Sequence, residues 1–320
     1  MDQLRSRTDV DLSVDLAGIQ MQNPLTTASG TSGYGPELSS YVDLSRLGAF
    51  TTKSITVEPR EGNPAPRIVE TRAGVINSIG LANVGLEKFL AEKLPSAAKL
   101  GVPILVNVAG KTIDEYLTVA SALDRVEEIA GLEINISCPN VAAGGLEFGT
   151  NCTMASELIR TLRGAVKRAK LIVKLSPNVT DICEVARAAV EAGADALSLI
   201  NTLRGMAINV EAKRPVLPRG FGGLSGPAVH PVAVYCVWRV YREVAKPAGV
   251  PIIGLGGVQL WQDAMELMLA GATAVAIGTA LFIDPQCPIK ILDGMTDYCR
   301  RHGVRRIADL IGTVAPPTAT

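Results

Sequence analysis

The sequence predicts an α/β fold of the (β/α)8 type, a TIM barrel, from two features that recur along the chain. Eight short runs are almost continuous in Val, Ile, Leu and Ala, as is typical of parallel strands buried on both faces. Amphipathic segments of helical length lie between most of these runs, and this alternation favours a barrel with its helices outside. A doubly wound open sheet is the alternative, but no G-x-G-x-x-G motif follows the first run.

The expected elements follow in chain order. Strands are expected at residues 24–28, 49–54, 103–109, 132–137, 171–175, 196–201, 251–254 and 274–278. Helices are expected at residues 112–130, 153–169, 181–192, 231–244 and 260–270. Gly193 and Gly271 are placed to end the helices that precede the sixth and eighth strands.

Three further segments complete the predicted architecture. Residues 12–22 are expected to form an N-terminal β-hairpin at the bottom of the barrel. Residues 56–86 and 202–227 are longer than ordinary connections and rich in Gly, Pro, Asn and Arg. Because long loops of a barrel commonly form lids or binding walls, we expect both to lie over the C-terminal face. Residues 1–320 are expected to form one barrel domain.

The composition is that of a globular protein and excludes several classes of function. The 320 residues are 48% hydrophobic with a mean hydropathy of +0.26, which excludes a disordered chain. Lys plus Arg and Asp plus Glu both number 31, so there is no overall positive charge to bind nucleic acid or a membrane surface. The six cysteines show no C-x-x-C spacing, and no stretch is apolar enough to span a membrane. We expect a reduced, cytoplasmic protein that binds small molecules and holds no metal.

Polar residues interrupt the predicted strands near their carboxyl ends, where barrel enzymes place their reacting groups. A buried amide or ammonium costs free energy unless it has a partner. One such residue could be a satisfied polar group of the core, but six at the same end indicate a shared polar ligand. They are Ser29, Lys53, Asn107, Asn135, Lys174 and Asn201.

The charges and glycines of the same region predict an anionic, phosphorylated ligand. Lys53 and Lys174 together suggest a carboxylate or a reduced flavin between them, although either ammonium alone could reach solvent. Glycines at residues 222–227, 254–257 and 278 allow backbone N–H groups to approach a phosphate closely. A single glycine pair is more often a tight turn, but loops after the last two strands are the usual phosphate site of this fold. The combination indicates a ligand such as FMN.

Cys138 is the candidate catalytic base. It follows the fourth predicted strand directly, between a serine and a proline in a polar loop. Because a thiol has an ordinary pKa near about 8.5, a modest shift makes it a usable base at neutral pH. A buried, inert thiol is the commoner case, and we assign it to Cys183, Cys236 and Cys299. Neither of the two histidines is placed to form a Cys-His pair, so a papain-like nucleophile is not favoured.

Taken together, these stretches resemble the class 1 dihydroorotate dehydrogenases, and the similarity covers nearly the whole chain. The most specific pieces are Asn-Ile-Ser-Cys-Pro-Asn at residues 135–140 and Asn-x-x-Gly-Leu-x-Asn at residues 77–83. Further similar stretches lie at residues 28–30, 52–54, 61–67, 107–110, 173–178, 200–202, 222–227, 254–257 and 277–279. The resemblance implies a TIM barrel that holds FMN and oxidises (S)-dihydroorotate to orotate in de novo pyrimidine (UMP) biosynthesis.

The resemblance also implies roles for individual residues. Cys138 would take the C5 proton of the substrate while a hydride leaves C6 for N5 of the flavin. The positions implied to contact substrate are Lys53, Asn77, Ser78, Ile79, Gly80, Leu81, Asn135, Asn201 and Thr202. The positions implied to contact FMN are Ser29, Lys53, Ser54, Asn107, Asn135, Lys174, Ile200, Gly226, Gly256, Gly257, Gly278 and Thr279.

Within class 1, residues 174–178, 200–203 and 222–227 are most similar to class 1B, the NAD-linked form. That likeness implies a partner electron-transfer subunit with FAD and a [2Fe–2S] cluster, in a heterotetramer built on a homodimer of the catalytic chain. Class 1A, a homodimer that uses fumarate, stays open because residues 31–34 and 254–255 depart from the 1B pattern. A dihydropyrimidine dehydrogenase-like barrel is the rival enzyme. A non-catalytic flavin-binding scaffold is the alternative outside enzymes.

Overall fold

Eight parallel strands form the barrel in the computed structural model, which describes residues 10–137, 139–140 and 146–315. The barrel strands are β1 (Leu25–Thr27), β2 (Phe50–Thr51), β3 (Ile104–Val108), β4 (Ile129–Asn135), β5 (Lys170–Lys174), β6 (Ala196–Leu199), β7 (Ile252–Leu255) and β8 (Ala274–Ile277). Their ladders run in the order β1–β8–β7–β6–β5–β4–β3–β2. Apart from β1 with β8, each strand therefore pairs with the barrel strand next to it in the sequence. Nearly all of their residues are buried, as the continuous apolar runs predict. The predicted (β/α)8 fold is confirmed.

A pair of threonines joins β1 and β2, the two strands at the ends of this ladder order. The Thr27 hydroxyl accepts a hydrogen bond from the Thr51 backbone N–H at 3.0 Å and donates to the Thr51 carbonyl oxygen, also at 3.0 Å. Two and three residues earlier in the two segments, the Gly48 N–H donates to the Leu25 carbonyl at 2.9 Å. The Thr27 side chain therefore continues, beside Thr51, the contact that the Gly48 backbone makes with Leu25, and together they close the barrel between β1 and β2.

Helices occupy every connection between consecutive barrel strands. Three of them begin at side chains that cap the first turn: Thr112, Asn151 and Asp181 each accept a hydrogen bond from a backbone N–H two or three residues on. The α-helices are Pro36–Ser39, Leu86–Lys88, Leu94–Ala98, Ile113–Asp124, Cys152–Ala165, Ile182–Glu191, His230–Val240, Lys246–Ala248, Trp261–Ala270, Ala280–Ile283 and Cys287–Arg301. Wider π-type turns span Phe89–Lys93 and Tyr241–Ala245, and short 3-10 turns span Leu44–Arg46, Phe148–Thr150, Pro227–Val229 and Ile307–Leu310. Within the described ranges, no helix has the length and apolar character needed to cross a membrane.

The helix expected over residues 112–130 is wrong at its end. It stops at Asp124, and β4 begins at Ile129 instead of residue 132. Ile129 pairs with Ile104 of β3, and Gly131 pairs with Leu105. Strand pairing with a buried neighbour thus outweighs the helical spacing of the sequence, and Gly131 is itself a poor helix former.

The N-terminal hairpin closes the bottom of the barrel as predicted. Strands Val14–Leu16 and Ile19–Met21 pair antiparallel across the Ala17–Gly18 turn. The Ile19 side chain packs against Gly131, and Gly18 lies beside Lys170; these two partners belong to the amino-terminal ends of β4 and β5. The hairpin therefore covers the end opposite to the one where the polar residues gather.

The two long insertions pair with each other over the C-terminal face. They contribute strands Ile68–Thr71, Gly74–Asn77, Leu203–Gly205 and Gly222–Ser225 to one antiparallel sheet, here called the roof sheet. Its central register pairs Asn77 with Gly223 and Val75 with Ser225. Two smaller strand pairs are Pro139–Asn140 with Leu146–Glu147 and Ile208–Asn209 with Arg214–Pro215. The sequence predicts loops here, and the structure shows that they form a sheet.

Candidate active site

A cleft of about 640 Å³ lies between the carboxyl ends of the barrel strands and the roof sheet. Residues at or just beyond the end of each of the eight strands contribute to its wall. All of the residues predicted to contact substrate or FMN line it, except Asn107. They are Ser29, Lys53, Ser54, Asn77, Ser78, Ile79, Gly80, Leu81, Asn135, Lys174, Ile200, Asn201, Thr202, Gly226, Gly256, Gly257, Gly278 and Thr279.

The other two predicted site residues are Cys138 and Asn107. Cys138 lies outside the described residues, and its neighbour Ser137 lines the cleft. Asn107 is fully buried below the cleft. Its side chain accepts a hydrogen bond from the Ser54 hydroxyl at 2.5 Å and donates to Glu133 at 2.5 Å. Asn107 therefore supports Ser54 from below, and its contact with FMN stays a prediction.

Glu133 lies just below the cleft, next to Lys174 of its wall, and was not among the residues predicted from the sequence. Its side chain is about 3% exposed. One carboxylate oxygen, Oε1, accepts from the Ser198 hydroxyl at 2.7 Å. The other, Oε2, accepts from Asn107 Nδ2 at 2.5 Å and from Lys174 Nζ at 3.3 Å. Lys174 Nζ donates in turn to Ser29 Oγ at 3.1 Å. The available signal was a charged residue inside the apolar run of β4.

The two lysines predicted to contact the ligand therefore differ in their surroundings. Glu133 already gives Lys174 an anionic partner, so Lys174 does not need a ligand to balance its charge. Lys53 is half-buried, and burial lowers the pKa of its ammonium below the ordinary value. The nearby Arg67 guanidinium lowers that pKa further, and the Glu37 carboxylate raises it. Of these two lysines, Lys53 is thus the one whose charge is available to a negatively charged ligand.

Amide side chains form a second polar cluster on the opposite wall. Asn201 Nδ2 donates to Asn135 Oδ1 at 3.2 Å and to Ser137 Oγ at 2.9 Å. Asn201 Oδ1 accepts from the Thr202 backbone N–H at 2.8 Å. These contacts fix the orientation of the Asn135 amide at the end of β4 and of the Asn201 amide just beyond β6. Each amide has both donor and acceptor atoms.

The segment from Asn77 to Leu81 reaches the cleft from the roof sheet. Asn77 Nδ2 donates to the Gly223 carbonyl at 3.0 Å, so the second insertion orients this side chain. The Ser78 hydroxyl accepts from Asn63 Nδ2 at 2.9 Å. The two insertions therefore have to pair before this part of the wall can form.

The glycine loops after β6 and β7 meet at the start of helix His230–Val240. A Cβ at Gly257 would lie 2.7 Å from the His230 Cβ and 2.8 Å from the Gly226 carbonyl oxygen, and its φ is +71°. A Cβ at Gly256 would lie 2.7 Å from the Ala233 Cβ. The His230 Nδ1 lies 2.8 Å from the Gly256 carbonyl oxygen. Only glycine fits this close junction of loop and helix.

Four of the five cysteines described in the structure are buried as inert thiols are. Cys183, Cys236, Cys287 and Cys299 are buried. Burial raises the pKa of the Cys183 and Cys287 thiols to about 12 and also raises the pKa of Cys236 and Cys299. Thiolates are therefore disfavoured at these positions near neutral pH.

A parallel barrel with a polar cleft at the carboxyl ends of its strands is the architecture of barrel enzymes. The family model described as dihydroorotate dehydrogenase matches residues 11–298, which is most of the chain. The chain belongs to the dihydroorotate dehydrogenase family.

Individual relatives give the same result. The chain is 52% identical over 304 residues to a Pelobacter propionicus protein named dihydroorotate dehydrogenase B (NAD(+)), catalytic subunit, covering 95% of this chain and 98% of that protein. It is 49% identical to a Bacteroides thetaiotaomicron protein of the same name, covering 95% and 99%. The crystal structure of an Eimeria tenella DHODH in complex with ferulenol superposes with a TM-score of 0.77 at 24% identity, over 98% of this chain and 91% of that one. This last match supports the fold.

Proposed function

We propose that this chain is the FMN-binding catalytic subunit of a class 1B dihydroorotate dehydrogenase. It would oxidise (S)-dihydroorotate to orotate in pyrimidine biosynthesis and pass the electrons on to NAD through a partner. The observation that carries the proposal is that the family motifs, scattered from residue 28 to residue 279, supply the walls of one cleft at the carboxyl end of the barrel. Relatives about half identical to this chain carry the NAD-linked name, which favours class 1B over the fumarate-linked class 1A.

The cleft has the chemistry that FMN requires. The close packing of Gly226, Gly256 and Gly257 at a helix start keeps side chains away from the backbone there. A phosphate would be favoured at this point by backbone N–H groups and by the positive end of the helix dipole. Lys174 and Ser29 place polar hydrogens at the cleft floor, where an oxygen-rich ring edge can accept them. When bound, FMN supplies the hydride acceptor for C6 of the substrate.

The remaining wall suits a planar anion that carries amide groups. Lys53 would pair with the substrate carboxylate, and its half-burial strengthens that attraction relative to water. Asn77, Asn135 and Asn201 would bind the pyrimidine ring, since amides match its alternating donors and acceptors. Asn201 donates to Asn135, and Asn77 donates to the Gly223 carbonyl. These bonds hold the amides in place before the ligand arrives, which reduces the ordering cost of binding.

The proton at C5 needs a base on the substrate side of the cleft. We assign this role to Cys138 from the sequence, because it directly follows Ser137, which lines the cleft. A thiolate at this position would take the C5 proton and become a neutral thiol. Substrate binding by the asparagines and Lys53 would hold C5 in reach.

The electrons have to leave through a partner protein in this proposal. The relatives are named catalytic subunits, a name that implies a second subunit in those proteins. We propose a partner that carries FAD and a [2Fe–2S] cluster, in a heterotetramer built on a homodimer of this chain. The enzyme would act in the cytoplasm, with a soluble acceptor.

Anaerobic titration of the purified chain with dihydroorotate tests the proposed activity. We expect the purified protein to contain FMN and its visible flavin absorbance to bleach with one equivalent of dihydroorotate, but not with dihydrouracil. Bleaching by dihydrouracil alone would instead identify a dihydropyrimidine dehydrogenase-like enzyme, and bleaching by neither would leave a flavin-binding scaffold. Turnover with NAD only after the electron-transfer subunit is added would support class 1B. Turnover of the chain alone with fumarate would indicate class 1A.

A further inference from the structure

A buried hydrogen-bond network crosses the floor of the cleft and joins six of the eight barrel strands. Its members lie on β3, β4, β5 and β6 and just after β1 and β2. In order across the barrel they are Ser29, Lys174, Glu133, Asn107 and Ser54, with Ser198 bound to the second carboxylate oxygen of Glu133. Glu133 is the acceptor on which three of these donors converge.

The charges of this network cancel. Lys174 and Glu133 are about 4% and 3% exposed, and Nζ lies 3.3 Å from Oε2. At this depth, solvent does not screen either charge well. An ammonium below a redox-active ring attracts the electrons that the ring receives, but a carboxylate beside it opposes most of that attraction. The ring therefore meets a dipole and not a full positive charge.

We infer that Glu133 is a positioning residue that orients Lys174 and Asn107 and offsets the lysine charge, so that the bound flavin does not hold its electrons too tightly. This inference rests on the proposed function. A subunit that has to give electrons to a partner is impeded if its reduced cofactor is too stable, and Glu133 counteracts that stabilisation. Asn107 transmits the same ordering to Ser54 at the cleft wall.

Glu133→Gln is a suitable probe because it removes the charge and keeps the hydrogen bonds. The amide oxygen can take the place of Oε2 and accept from Asn107 and Lys174. The amide nitrogen can take the place of Oε1 and donate to the Ser198 oxygen. The shape of the floor is preserved while Lys174 loses its counter-charge.

The measurement is the midpoint potential of the bound flavin against a reference dye, together with the affinity of the FMN-free protein for oxidised FMN. We expect Glu133→Gln to make the potential more positive, so that the ratio of reduced to oxidised FMN affinity rises by about tenfold or more. Lys174→Met should shift the potential in the opposite direction. The double variant, which lacks both charges, should lie near the wild-type value.

Asp195→Asn is the matched control. Asp195 forms an ion pair with Arg163 at 2.8 Å before β6, at the opposite end of the barrel. Its removal should lower stability and leave the flavin potential unchanged. An equal shift in both variants, or an unchanged potential in Glu133→Gln, would overturn the inference.

Two further outcomes keep the inference separate from the proposed function. If Glu133→Gln does not fold, the variant with both Glu133→Gln and Lys174→Met decides. A flavin potential in that variant well below the wild-type value would show that Glu133 does not offset the charge of Lys174 in the wild type. If wild-type protein binds no FMN or is not bleached by dihydroorotate, the proposed function fails first. Normal bleaching of the wild type with unaltered variant potentials rejects the role of Glu133 alone.

Discussion

Replacing Thr27 by Val tests how the barrel is closed. The change keeps the side-chain shape but removes the hydroxyl that bridges β1 and β2. The Thr51 N–H would lose its acceptor, and the Thr51 carbonyl would keep only a weak contact with Ser32 Oγ at 3.4 Å. An unpaired buried polar group costs about 1–3 kcal/mol. The Thr51 N–H and the Thr51 carbonyl, which keeps its contact with Ser32, should together cost about 2–4 kcal/mol. For a chain of this length, that corresponds to about 3–6 °C in the midpoint of thermal unfolding.

Thr26→Val provides the matched comparison one residue away. The Thr26 hydroxyl is equally buried, but its bond at 3.1 Å is to the Thr51 hydroxyl and not to the backbone. Its loss should cost about 1 kcal/mol, or about 1–2 °C. The two variants and the wild type would be compared by differential scanning calorimetry without added ligand. If Thr27→Val is no less stable than Thr26→Val, the threonine bridge does not close the barrel.

Three further predictions concern the cleft. Cys138→Ser should retain FMN but lose most turnover near pH 7 and recover in part at high pH, because serine is a much weaker acid. Steady-state rates measured against pH check this, and wild-type turnover of the variant at neutral pH would show that Cys138 is not the base. Lys174→Ala should leave orotate binding measurable and slow flavin reduction severely in stopped flow, and an unchanged rate would contradict its assignment. Because the pKa of Lys53 is lowered, orotate binding should weaken as pH rises through that lowered value. Arg67→Gln removes a charge that lowers this pKa, so the loss of binding should move to higher pH. Arg67→Lys keeps the charge and should not move it.

The fold was largely predictable because buried parallel strands leave a strong compositional signal. All eight strands overlap the continuous Val, Ile, Leu and Ala runs that predict them, although β4 begins three residues early. The helix before β4 was extended too far because residues 125–130 keep a helical spacing of apolar residues. Pairing of Ile129 with Ile104 decides that segment, and such pairing joins residues that the local pattern does not relate.

The site was predictable to the extent that its residues stand at strand ends. Lys53, Asn135 and Asn201 line the cleft because the carboxyl ends of barrel strands converge on one face. Glu133 was missed because a charged residue within a strand gives no indication of whether its side chain points into the barrel or towards the helices. Its convergence with Lys174 and Asn107 depends on the stagger of three neighbouring strands.

The sequence alone determined the alternation of strands and helices, the family, and the end of the barrel at which polar side chains gather. These properties follow from local composition and from the direction of parallel strands. Only the tertiary structure decided that the two insertions form one roof sheet, that a threonine hydroxyl helps to close the barrel, and that Glu133 pairs with Lys174. Each of these depends on contacts between residues far apart in the chain, where angles and distances set by packing determine which polar groups meet.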